Sequence, residues 1–114
     1  MLVQVLNRKE LLSMNIKNLL SGNITENELL NYYNATITNA KLPKYINGFV
    51  FSYRNINNII INKNLSVEKQ KDARIHELAH IELNHLNQVK DFLEFSFKNY
   101  EDEVDDYINN IKEN

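Results

Sequence analysis

Between Leu12 and Tyr33 apolar residues recur at helical intervals. Leu12, Ile16, Leu19 and Leu20 fall on one stripe, with Gly22 as a stop. Leu29, Leu30 and Tyr33 fall on a second, opened by Thr25 with Glu28 three residues on, the spacing of a capping box. Two short helices are expected. The period then changes: Ala35 to Thr38 is a short β-prone stretch, and Leu42-Pro43 punctuates the chain after it. Gly48 to Tyr53 and Asn58 to Asn62 are rich in Phe, Val, Tyr and Ile around the polar Arg54-Asn55-Ile56-Asn57, which predicts a β-hairpin with Ile59-Ile60-Ile61 in its more buried strand. Ser66 is a good N-cap, and the absence of Gly and Pro from Val67 to about Gln88 predicts one long helix. Asp91 to Lys98, with Phe92, Leu93, Phe95 and Phe97, reads as a less regular segment closing over the core, before a last helix from about Asn99 to Ile111. Together these elements describe an α+β domain, helices packed on a short antiparallel hairpin or sheet.

Composition narrows the class. At 114 residues the chain is expected to form a single domain over 1–114, burying roughly two-thirds of the surface of its unfolded state. Apolar residues at 43 % and charged residues at 25 % fit a folded soluble protein. Thirteen basic against fifteen acidic residues leave a formal charge of −2, too weak a field to draw in nucleic acid or an anionic membrane directly. A helix-turn-helix around Gly22 is disfavoured too, because the pair lacks a clear third helix and a basic face. Met1 to Leu6 is broken by Gln4 and followed by Asn7, Arg8, Lys9 and Glu10, unlike a signal peptide, and eighteen apolar residues never run together. The expected compartment is the cytoplasm. With no cysteine, any metal must be held by nitrogen and oxygen ligands, which excludes zinc fingers.

The long helix carries the chemistry. His76-Glu77-Leu78-Ala79-His80 is the pattern H-E-x-x-H. Imidazoles at i and i+4 project from one side of a helix and can share a tetrahedral zinc ion, while the neighbouring carboxylate lies beside the ion's water without being drawn in as a ligand. Glu77 is therefore the expected general base, and His76 and His80 the expected zinc ligands. A lone helical histidine is more often a half-buried residue bonded to backbone; the pair with Glu77 between them shifts that reading to metal.

Zinc of this kind needs a third protein ligand. His85 is a poor candidate: it lies five residues after His80 on a continuing helix, about 140° around from it. The last helix offers a better one. Val104, Ile108 and Ile111, with Tyr100 and Tyr107, form its apolar stripe; Glu101 and Asp105 border that stripe, while Glu103 and Asn110 point away. Glu101 is the expected third ligand. Asp105 is the expected acceptor that fixes the tautomer of His76 or His80.

These residues resemble the ImmA/IrrE metallopeptidases. The resemblance runs through Gly48 and the hairpin, Ile61-Asn62 with Leu65-Ser66, Ile75 to His80 with Leu83 and His85, and Glu101-x-x-Val104-Asp105-x-Tyr107. The last segment is similar to the family's Glu-x-x-Ala-Asp/Asn-x-Phe. The resemblance implies a small zincin-like domain in which the active-site helix is followed by a C-terminal ligand helix. It also implies cleavage of a protein substrate, a helix-turn-helix repressor of a mobile element or stress regulon. Relatives usually continue past this helix through a Leu-Leu-Met-Pro-like segment, whereas this sequence stops at Asn114. That departure keeps a second reading in play: a zinc-containing regulatory protein that grips a repressor without cutting it.

Overall fold

The computed structural model describes residues 13–86, 93–97 and 102–113, with side chains for 13–83 and 104–112. The elements in order are α1 (Ile16–Leu20), α2 (Glu26–Tyr32), β1 (Ala35–Ala40), β2 (Ile46–Tyr53), β3 (Ile56–Asn62), α3 (Val67–Leu86), β4 (Leu93–Phe97) and α4 (Asp102–Glu113).

The first two helices are short and owe their ends to specific caps. Asn15 accepts from the Asn18 N–H at the start of α1, and Gly22, at φ +77°, lets the chain reverse after it while its N–H bonds to Leu19. Thr25 and Glu28 form the reciprocal capping box of α2. Helices this short do not persist alone. Ile16 and Leu29, both fully buried, dock them on the rest of the core.

The sheet is wider than the hairpin alone and is mixed, in the order β1-β3-β2-β4. Arg54 and Asn55 both adopt positive φ, so β2 and β3 are joined by a two-residue turn of the kind that matches strand twist. Hence Ile56 and Asn57, expected in the turn, belong to β3. The Asn57 amide is buried and donates to the Tyr33 carbonyl at 2.7 Å. β1 runs to Ala40 and pairs parallel with β3. Residues 93–97, expected to be irregular, form an edge strand antiparallel to β2. Leu93, Phe95 and Phe97 alternate with Glu94 and Ser96, the period-2 pattern of a strand, and that alternation outweighs the polar residues around it.

Two residues fix the sheet's inner edge. A Cβ on Gly48 would lie 2.7 Å from the Ile60 carbonyl oxygen of the paired strand, so β2 and β3 can approach this closely only with glycine there. Gly48→Ala should therefore destabilise the fold by about 1–3 kcal/mol, seen as a lower midpoint in urea; an unchanged midpoint would mean the strands separate without cost. At the end of β3 the buried Asn62 amide donates to the carbonyls of Leu42, Pro43 and Ile46, and its oxygen accepts from Leu42 and Asn64. One side chain thus ties the β1–β2 loop to the chain entering α3, where Ser66 caps the helix by accepting from Lys69.

α3 packs across β2 and β3 on one side and meets α1 and α4 on the other. Val50, Ile59 and Ile61 of the sheet, Leu78, Ala79 and Ile81 of α3, Ile16 of α1 and Val104 and Ile108 of α4 make up the core. Because α3 contacts the sheet as well as α1 and α4, its burial is not confined to a single stripe. From Ala73 to Glu82 every residue but Arg74 and His76 is buried. No helix of the described residues is long and apolar enough to cross a membrane.

Candidate metal centre

α3 sets His76 and His80 one turn apart, their ring centroids 5.0 Å from each other and the rings inclined at 69°. Glu77 is fully buried and His80 nearly so. One ligand-type atom from each of the three residues lies within 4.8 Å of the others. Nε2 of both histidines and Oε2 of Glu77 are shielded from solvent. From α4, Asp105 Oδ1 reaches to 3.3 Å from His76 Nδ1. With Nδ1 turned to a carboxylate, Nε2 is the atom His76 can offer to an ion.

Electrostatics keep both imidazoles neutral near physiological pH. Burial pushes the His76 pKa down against the opposing pull of Asp105, and burial, reinforced by neighbouring His76, pushes His80 down to about 4. Neutral imidazole is the ligating form. The sign of the resulting stability effect is set by the unfolded histidine, which protonates near pH 6.5. Above that pH the cost of charging the buried ring is absent, and as pH falls from about 6.5 to 4 the unfolded state takes up the proton first. The metal-free protein should lose on the order of 3 kcal/mol through His80 across that window. Denaturant titrations from pH 7 to 4 on the protein and on His80→Gln test this: equal pH slopes for the two would refute it.

The donor set fits a metal ion. Two imidazoles, with a carboxylate beside them and no thiolate, suit a borderline cation. Two ligands on a tetrahedral zinc ion sit about 3.3 Å apart, a small side-chain adjustment from the present cluster. Of the other residues singled out from the sequence, Glu101 lies outside the described residues, and so does the side chain of His85.

One buried polar residue of α3 escaped the sequence reading. Glu82 accepts from the Ile16 N–H at 2.9 Å and the Tyr33 hydroxyl at 2.8 Å through Oε1, and from the Tyr107 hydroxyl through Oε2. Burial and the adjacent carboxylate push the Tyr33 phenol well above its ordinary pKa, so it stays a donor. The signal was indirect: Tyr33 and Tyr107 lie on apolar stripes, and buried phenols need acceptors.

An H-E-x-x-H helix laid across a small mixed sheet, with an acidic residue of the following helix against its first histidine, defines a small zincin-like α+β domain. Residues 31–107 match the family of IrrE N-terminal-like domains, peptidase family M78, and the chain belongs to it. The match takes in the whole sheet, α3 and Asp105. No curated protein and no solved structure shows significant similarity to the chain.

Proposed function

We propose that the protein is a zinc-dependent endopeptidase whose substrate is a DNA-binding repressor of the helix-turn-helix kind. The observation that carries the catalytic part is the buried convergence of His76, Glu77 and His80 within 4.8 Å in a chain of a peptidase family. The substrate is inferred from the resemblance to ImmA/IrrE metallopeptidases.

In this reading His76 and His80 hold zinc through Nε2. Glu101, four residues before Asp105 in the sequence, supplies the third ligand. Zinc, when bound, supplies Lewis acidity, polarising the scissile carbonyl and making water a nucleophile near neutral pH. Glu77 accepts the water's proton on its carboxylate as the oxygen attacks, then returns it to the departing amine nitrogen. Asp105 holds the His76 proton on Nδ1, so that the ring keeps its orientation while Nε2 ligates.

Elemental analysis of the purified protein tests the metal assignment. About one zinc per chain is expected, lost in His80→Ala. Stoichiometric metal that persists in His80→Ala would overturn the proposed site.

A further inference from the structure

We infer that Glu82 and Tyr107 form a positioning latch that seats α4 so that Asp105 meets His76. The inference rests on the proposed metal site. Asp105 cannot be held in place by its own burial, since its side chain is 59 % exposed while that of His76 is 15 % exposed. Whether its carboxylate stays within 3.3 Å of Nδ1 depends on where α4 sits along and around α3. Apolar packing of Val104 and Ile108 against the core brings the helix down but sets its register loosely, because such contacts are non-directional. The hydrogen bond from Tyr107 to Glu82 is directional, and it joins α4 to α3 two residues beyond Asp105.

The carboxylate at the other end of this link is itself immobilised. Glu82 is 6 % exposed. Its Oε1 is taken by the first N–H of α1, a donor that the helix cannot satisfy internally, and by the Tyr33 hydroxyl at the end of α2. Three elements therefore converge on one carboxylate, and its second oxygen is left pointing in a fixed direction for Tyr107. Rotating or sliding α4 would strand a buried acceptor, which is why the bond can specify register rather than merely add to packing. Tyr107 is thus a positioning residue that acts through Asp105, and Glu82 is its anchor.

A double-mutant cycle on zinc affinity, read by competition with a chromophoric chelator, tests the latch. Tyr107→Phe keeps the ring and removes only the hydroxyl, so the metal-free fold should persist by circular dichroism. Zinc affinity should fall by about 3- to 10-fold, part of the roughly 10- to 100-fold expected for Asp105→Ala. The double variant should bind zinc as Asp105→Ala alone does. Two results would overturn the latch: Tyr107→Phe binding zinc as tightly as the parent, or losses that simply multiply in the double variant. Failure of the metal reading itself would look different, as a parent protein that binds no zinc.

Discussion

Replacing Glu77 by Gln should leave zinc and fold in place and lower the rate of substrate cleavage by on the order of a hundredfold or more. The side chain is fully buried on the same turn as His76 and His80, so an isosteric amide fills the same space. What the amide lacks is basicity. It cannot accept the proton of the attacking water, and it has none to return to the leaving amine. If Glu77 were instead a metal ligand, the substitution would reduce zinc content together with activity. Parallel measurement of zinc occupancy and single-turnover cleavage separates the two roles. A variant that cut as fast as the parent would remove general-base catalysis from the account.

The second large effect concerns Glu101. In the proposed site His76 and His80 would supply two ligands, and an ion of tetrahedral preference needs a third from the protein to leave one position for substrate. Glu101→Ala should therefore weaken zinc binding by more than the roughly 10- to 100-fold that removal of an outer hydrogen-bonding partner costs. His85→Ala should leave zinc in place, since its position on α3 lies about 140° around from His80. Competition titrations of both variants measure this. Full occupancy surviving Glu101→Ala but lost on His85→Ala would reverse the assignment.

The grouping of His76, Glu77 and His80 was readable from sequence because it depends on local geometry alone. A helix carries residues i and i+4 to one side whatever its surroundings, and Ser66 with an unbroken run after it announced the helix. The caps at Thr25 and Gly22 were readable for the same reason. Long-range choices were not. The parallel pairing of β1 with β3 leaves no trace in the short stretch from Ala35, and the β-hairpin turn came out two residues long because Arg54 and Asn55 accept left-handed backbone, a conformation for which arginine gives no warning. Glu82 was hidden by its type. A glutamate on a long helix is ordinarily solvated, and only the folded arrangement of α1, α2 and α4 supplies the donors that bury it. The helical phase placed Asp105 on the side of α4 that faces α3, and the structure brings it to His76.

Peptide-bond cleavage is the central activity proposed for the site. Zinc-loaded protein, mixed with a candidate helix-turn-helix repressor and followed by intact-mass spectrometry, tests it directly. The expected result is two repressor fragments whose masses sum to the parent plus one water, formed by the protein and not by Glu77→Gln. A repressor released from its DNA with its chain whole, equally by the protein and by Glu77→Gln, would contradict it and identify binding alone as the function.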